Sequence, residues 1–587
     1  QCTVKLIYST SKTLGEVAHF YVYEMVSKPD PSNPNKTKDS NSSVIGKIEG
    51  GQFIPNQRGL QRLKEVRGIA DGKDSSSVAE KKDEELQKLS EAEKRAVQQA
   101  AINMNLKISS IDLQAKDYGE YAIVLSSTES VLKRLEKTFH AEDARLIYAI
   151  SIIHFVQEYT PASYINDVYD QSILSNKWPT LPMSEDKVGK FLRDLGRHPA
   201  TCEEYSQGII DDSSRKTAID GHVILSCSKQ NDLADYGNKY AKIGNKQVNL
   251  LQAYDVDNDE PLTSKAYEGG LPDKSSVKDL FEAYTFPSGT CFLVDMGFYS
   301  EDNLKLYRRN KCHYIIPVPE TTYINRAFLS SITFTGSFIY EKTDENGKIV
   351  KDTILYREST VKELEDICQR MMDAETEQKR EEAKANCKKG EKPKPVSPKK
   401  VKRSAYPDDR VVMYRDSDMH DKMVREFQSQ IGTDKEHTQE RLDELGPKFG
   451  IIILRFNYDK KTTAEQGYID YKSRWRIETH YNFVDNTIDF CGLQTDDYYA
   501  MQGLSFLTVV FGQIKAAFQK KKSASSSPYV KNMSIKEVLI KAAYFKLCQH
   551  TDKLWYIPIS TNKRTEVMTE MGADMPKDVE KLNNNTF

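Results

Sequence analysis

The stretch from Thr217 to Val318 constrains this chain more than any other. Five segments in it read as strands: TAIDGHVILSC (217–227), KQVNLLQAYDV (246–256), PLTSKAY (261–267), TCFLVDMGF (290–298) and CHYIIPV (312–318). Each is a short apolar or alternating run bounded by polar or turn-forming residues. The helical patterns SSVKDLFEAY and SEDNLKLYRR stand on either side of the fourth. Strands in immediate succession make an antiparallel meander, whereas strands separated by a helix can return parallel. The expected product is a mixed sheet, partly antiparallel and partly parallel, with helices over its faces.

The remainder exceeds one such core. At about 150 residues per domain, 587 residues imply roughly three or four domains. The pattern divides as 1–57, a β unit whose runs HFYVYEMV and SVIGKIEGGQFI flank the polar loop PDPSNPNKTKDSNSS; 58–127, a polar linker or exposed helical region; and 128–212, a helical module. The sheet's first part spans 213–325. A β-rich insertion at 326–447 carries a DENG hairpin turn and a charged helix at 361–385, and is succeeded by the sheet's second part at 448–497 and a helical region at 498–587. In the helical module, Ser184 suits an N-cap, Val188, Phe191, Leu192 and Leu195 form an apolar stripe, and Gly196 suits a helix stop. That module either binds DNA or is plain packing.

Charge and cysteine usage narrow the class. Lys+Arg 84 against Asp+Glu 86 leaves a net charge of −2, so any nucleic-acid surface is a local patch. The sharpest patch is KKGEKPKPVSPKKVKR, where Lys388, Lys389, Lys392, Lys394, Lys399, Lys400, Lys402 and Arg403 face only Glu391. Its prolines forbid a continuous helix, so it reads as an extended, mobile basic loop, either binding phosphate or serving as a solvated linker. The nine cysteines never form a C-x-x-C pair, which excludes a zinc ribbon and suits a reducing compartment. No apolar run approaches the roughly 20 residues of a membrane span, and QCTVKLIYSTSK has no signal-peptide pattern, so a cytoplasmic location is expected.

Three acids stand out by position. Asp220 interrupts the first strand and Asp295 directly follows the apolar FLV of the fourth. A carboxylate there needs a cation or backbone N–H partners, so each is either a metal ligand or a loop cap. Glu478 lies in YKSRWRIETHYNFVDNTID, read as one helix from about 463 to 490. Helical spacing puts Tyr471, Arg474, Glu478, Asn482 and Asp485 on one stripe beside an apolar one of Ile477, Tyr481, Val484 and Ile488. On spacing alone, Glu478 is a surface residue paired with Arg474 one turn earlier. His222 shares a strand face with Asp220 and reads as structural, while Trp475 and Phe483 read as core residues.

The segments AIDGHVILSCSKQNDLADYGNKY, QVNLLQAYDVDNDEPL, GGLPD, FLVDMGFYSEDNLKLYRRNKCHYIIPV and YKSRWRIETHYNF resemble, in order and spacing, the DDE transposases of bacterial insertion sequences, of the insertion-sequence-four-like group. The resemblance implies an RNase H-like core interrupted by a β-rich insertion. In it Asp220, Asp295 and Glu478 are catalytic and hold two Mg²⁺ ions, which Mn²⁺ can replace. It further implies cleavage at transposon ends and strand transfer, with double-stranded DNA as partner (terminal inverted repeats and target), a homodimer in the DNA complex, no membrane, and a bacterial cytoplasm where the DNA-bound protein joins the nucleoid. Tyr471 and Arg474 match the family's Y-x₂-R-x₃-E signature and are expected at DNA, with Lys399, Lys400, Lys402 and Arg403 as further phosphate contacts. Asp485 stands where the family has a Lys and Met296 where an Arg often follows the second Asp; a catalytically inactive DNA-binding remnant is the alternative these departures raise. Asp273, in GGLPD, aligns with a recurring family Asp whose role stays open.

Overall fold

A computed structural model of the chain describes residues 2–8, 20–30, 33–49, 52–56 and 115–587, apart from 159, 227, 229, 237–244, 272, 344–348, 387–394, 458–461, 489–496, 550–553, 559–561, 585 and 587. It divides into two compact units, Gln1–Asp112 and Leu113–Phe587.

In the first unit, β1 (Cys2–Tyr8), β2 (Phe20–Asp30), β3 (Asn33–Glu49) and β4 (Gln52–Pro55) form an antiparallel sheet in sequence order. The β unit expected here is present, but the expected polar loop is strand: Asp30 already faces Asn33, and Lys28 pairs with Lys38. A backbone ladder asks only for N–H and C=O groups, so polar residues extend it once the turn is set. The linker read at 58–114 and the DENG turn lie outside the described residues.

The second unit opens with β5 (Ala115–Asp117), which pairs with Lys546–Gln549 near the chain's far end. Its body is a ten-stranded sheet. β6 (Lys216–Leu225), β7 (Asp235–Tyr236), β8 (Lys246–Asp255) and β9 (Glu260–Glu268) are followed by β10 (Cys291–Val294), β11 (His313–Pro317), β12 (Gly336–Thr343), β13 (Ile349–Thr360), β14 (Arg410–Asp416) and β15 (Ile451–Phe456). Its order is β12-β13-β14-β15-β11-β10-β6-β8-β7, with β9 also beside β8. The meander β6-β8-β9 is antiparallel, and β10 and β11, each reached through a helix, run parallel to β6 and β10. This mixed pattern is the one the spacing of the strands predicts. The region read as an insertion is no separate β module: β12, β13 and β14 continue the same sheet through β15.

The helices that cover this sheet and build the site are α1 (Ala141–Gln157), α2 (Glu185–Arg197), α3 (Asp273–Ala283), α4 (Glu301–Arg309), α5 (Val361–Ala385), α6 (Ser417–Gln430), α7 (Ala464–Ser473), α8 (Trp475–Ile488) and α9 (Tyr498–Ser523). One core joins Ile147 and Ile150 of α1, Ile219 and Leu250 of the sheet, and Val510 and Ile514 of α9, so the expected helical module and C-terminal region are parts of one body. Residues 119–127, assigned to the polar linker, are a helix whose residues through Val124 are buried. Ser184 precedes α2 in extended conformation but makes no side-chain cap bond, and α2 continues past Gly196 to Arg197. Gly196 serves close packing instead of stopping the helix. A Cβ there would lie 1.9 Å from the Tyr499 carbonyl oxygen, and one on Gly503 would lie 2.1 Å from that of Leu192, so α2 and α9 meet backbone to backbone.

The opposite sheet face carries a second core, with Ala218, Leu293 and Leu454 under Tyr468 and Tyr471 of α7 and Ile477 and Tyr481 of α8. Side chains alternate along a strand, so Asp220, two beyond Ala218, and Asp295, two beyond Leu293, fall on this face.

Candidate active site

Strand register brings the first two acids together. Parallel β10 and β6 align Leu293 with Ala218 and Val294 with Ile219. Asp220 and Asp295 are the residues that follow this last pair, Asp295 just beyond the end of β10. Asp220 is 18% exposed and its Oδ1 accepts from the Gly221 N–H at 2.9 Å. Asp295, expected to be buried at its strand end, is exposed, because β10 stops at Val294 and the chain turns into a short 3-10 segment there.

The third acid arrives from above. The helix read as continuous is two, α7 and α8, meeting at Arg474. Tightened i−3 hydrogen bonds mark the joint: the Arg474 N–H donates to Tyr471 O at 3.1 Å and the Ile477 N–H to Arg474 O at 3.0 Å. The new helix turns Trp475 outward, 65% exposed, contrary to the core role expected of it. Phe483 does pack in the core, stacked on Phe511 with centroids 5.2 Å apart.

Arg474 is the hub of the cluster. One guanidinium nitrogen lies 2.6 Å from Glu478 Oε1 and another 3.4 Å from Asp220 Oδ2. The pairing of Glu478 with Arg474 read from the spacing is therefore present, and the same guanidinium reaches Asp220. Burial works against the Arg474 charge, yet Asp220, Tyr471, Glu478 and Asp295 together hold its pKa above the ordinary value. Burial pushes the Tyr471 phenol up to about 12, with Arg474 opposing and the Asp295 charge adding to the rise. Glu478 is the open side of the cluster, at 42% exposure.

Tyr481 and His222 brace the floor. The Tyr481 hydroxyl donates to the Asp220 carbonyl oxygen at 2.8 Å, and its ring stacks on His222 with centroids 4.5 Å apart. His222 Nε2 lies 2.8 Å from Asp485 Oδ1, so Asp485 is engaged by a strand neighbour of Asp220. Spacing alone did not reveal that pair, whose members lie far apart in the chain.

As a donor set, three carboxylates suit a hard divalent cation, which takes anionic oxygen and completes its shell with water. Among the described residues, however, no three His, Cys, Asp or Glu side chains stand close enough to hold a metal ion as they are, and the cationic position among the acids is filled by Arg474.

The basic loop departs from expectation in part. Lys388, Lys389, Lys392 and Lys394 lie outside the described residues. The segment 399–404 is pinned along α5: Gln369 bonds the backbone on both sides of Lys400, at 3.1 Å to Lys399 O and 2.9 Å from Val401 N–H, and Ser404 N–H donates to Glu365 at 2.6 Å. Arg403 is paired with Asp366 at 2.7 Å and Glu365 at 3.3 Å, so it already has anionic partners. Lys400 and Lys402 border a cleft of about 1320 Å³ that also takes in Asp295, Met296 and Tyr471. Sequence reading missed Lys448 and Lys472 on the same cleft; Lys472 stands within the family-like segment YKSRWRIETHYNF, and nothing in the pattern marked Lys448. Asp273 begins α3, and its side chain lies outside the described ones.

Residues 211–490 match the family model of the transposase DDE domain. No curated protein matches the chain. Among solved structures, one that is similar is the cryo-EM structure of a piggyBac transposase synaptic complex with hairpin DNA, at 11% identity and a TM-score of 0.33, covering 78% of this chain and 82% of that one. No described helix is long and apolar enough to cross a membrane.

Proposed function

We propose that the chain is a DDE transposase with an RNase H-like core, in which Asp220, Asp295 and Glu478 are the catalytic carboxylates. The observation that carries this is the single guanidinium of Arg474, which reaches both Asp220 and Glu478 and feels the charge of Asp295, the residue just beyond the β10 strand that pairs with β6. The match of 211–490 to a transposase DDE domain spans all three acids.

In this reading the three carboxylates hold two Mg²⁺ ions, or Mn²⁺ in their place. The chemistry such ions supply is activation of a water or a DNA 3′-hydroxyl and stabilisation of the leaving oxygen in an in-line displacement. Arg474, displaced from among the acids, is then free to meet a DNA phosphate through paired N–H donors. Tyr471, held neutral at its raised pKa, backs the guanidinium, whose carbon lies 6.0 Å from its ring centroid. Tyr481 fixes the Asp220 backbone, so the first carboxylate is aimed by the sheet and by α8 together. The substrate is double-stranded DNA carrying the element's terminal repeats, joined to target DNA by two copies of the chain. An origin in a bacterial insertion sequence of the insertion-sequence-four-like group belongs to the same proposal.

Asp485, tied to His222, and Met296, 45% exposed at the cleft, favour a second reading, a DNA-binding remnant that no longer cuts. Nicking of repeat-bearing DNA in Mg²⁺ or Mn²⁺ separates the two. The catalytic reading expects nicking that Asp220→Asn and Glu478→Gln abolish while DNA affinity stays within a few fold. Intact protein inert under both metals supports the remnant, and nicking that persists in either variant refutes the site.

A further inference from the structure

The cleft beside Asp295 extends well beyond the acids. Its floor is the first half of β15, Ile451–Ile453, with Pro317 and Val318, one wall is α5 and the 400–402 segment, and the other is α6 with Lys448 and Phe449. Two features of its lining point to a ligand.

The first is unspent positive charge. Lys400, Lys402 and Lys448 are exposed, and among the described residues none of them has an acidic partner within ion-pair distance. Lys472 closes the end next to Tyr471. Burial lowers its pKa against the pull of Asp416, and its ammonium lies 5.2 Å from the centroid of the Tyr468 ring. A half-buried ammonium without a carboxylate against it gains most from an incoming anion. The second feature is a thioether wall: Met371 and Met372 of α5 face the cleft from one side, Met419 and Met423 of α6 from the other, with Phe449 between. Methionines make an apolar surface that adapts to flat, varied groups. Gly450, at a φ of +68°, shapes this wall; a Cβ there would meet Asp416 O at 2.7 Å.

Cations on both walls and at one end, on a lining that also holds Glu320 and Asp416, with an adaptable apolar surface between them, suit a ligand with several anions and flat apolar faces. At about 1320 Å³ the cleft exceeds the roughly 300–1,000 Å³ of ordinary small-molecule sites, yet it falls far short of a turn of duplex. We propose that it receives a few nucleotides of single-stranded DNA leading away from Asp295, with phosphates along Lys400, Lys402, Lys448 and Lys472 and bases against the methionines. The proposal rests on the transposase reading for its ligand, and gives that reading a separate path for a strand released beside the acids.

The test uses the full chain, a fluorescent oligothymidylate of about ten nucleotides, a size within the range of single-strand sites, and a blunt duplex of arbitrary sequence. Each phosphate contact to a single strand contributes about 0.7 to the slope of log affinity against log salt. In Lys400→Ala/Lys402→Ala/Lys448→Ala, the oligothymidylate slope is expected to fall by about 2 while the duplex slope holds. An unchanged oligothymidylate slope, or an equal fall on duplex, overturns the proposal. Wild-type protein that nicks repeat-bearing DNA but ignores the oligothymidylate sinks this site and leaves the transposase reading standing. Oligothymidylate binding of the expected slope by protein that leaves repeat-bearing DNA uncut in both Mg²⁺ and Mn²⁺ keeps the site and removes the catalytic reading.

Discussion

Two arginine–carboxylate clusters sit on the same sheet, and they differ in how far each arginine is satisfied. The side chains of Arg455, one residue before the end of β15, and Asp409 are both 0% exposed. The Arg455 guanidinium donates to Asp409 at 2.7 Å, Tyr299 at 2.8 Å, Ser404 at 2.9 Å and Glu301 at 3.1 Å, while Asp409 also takes Arg308 and the Tyr314 hydroxyl. Arg474 instead has two carboxylate bonds, to Glu478 and, long at 3.4 Å, to Asp220, and Glu478 and the nearby Asp295 reach solvent. A buried charge with its donors filled fixes structure, and by way of Ser404 it also anchors the basic segment. A half-filled arginine among open acids marks a site where one cation can replace another.

Substitution of the two arginines tests that difference. Arg455→Ala removes from the interior the cation that Asp409, Glu301, Tyr299 and Ser404 share and should cost about 3–5 kcal/mol in denaturant unfolding, with no recovery on adding metal. Arg474→Ala should cost less, about 1–3 kcal/mol, because water reaches the acids it leaves. Mn²⁺ should then restore stability to Arg474→Ala, since the three carboxylates gain the cation they lack. Equal losses in the two variants, or metal rescue of Arg455→Ala, would erase the distinction. Trp475→Ala, at an exposed position, should change stability by less than about 0.5 kcal/mol. If it costs several times that, the outward turn at Arg474 is wrong and Trp475 is a core residue after all.

The strands β6 and β8 to β11, with Asp220 inside one and Asp295 at the end of another, were legible because apolar runs and interrupting charges are local signals, whereas Glu478 stood out only through the resemblance. The neighbourhood of β10 and β6 was not legible, because it is a pairing between segments well separated along the chain. The break at Arg474 was hidden because the apolar stripe of Ile477, Tyr481 and Val484 holds whether the helix is continuous or restarts. Gly196 read as a stop because a glycine required for close helix contact looks the same in sequence as one that ends a helix. Arg455, by contrast, carried a usable signal: a lone cation inside IIILRF breaks an apolar strand just as Asp220 does, and the same rule applied to basic residues would have marked it.

If Asp220, Asp295 and Glu478 share one divalent-cation site, Arg474 must withdraw from it before the ions enter. Titration of Mn²⁺ by electron paramagnetic resonance on the intact protein reads that exchange without any need for DNA. Saturable binding that weakens at least about tenfold, or 1.4 kcal/mol, in each of Asp220→Asn, Asp295→Asn and Glu478→Gln, and strengthens in Arg474→Ala, is the expected result. Wild-type affinity in any one of the three acid variants would contradict it.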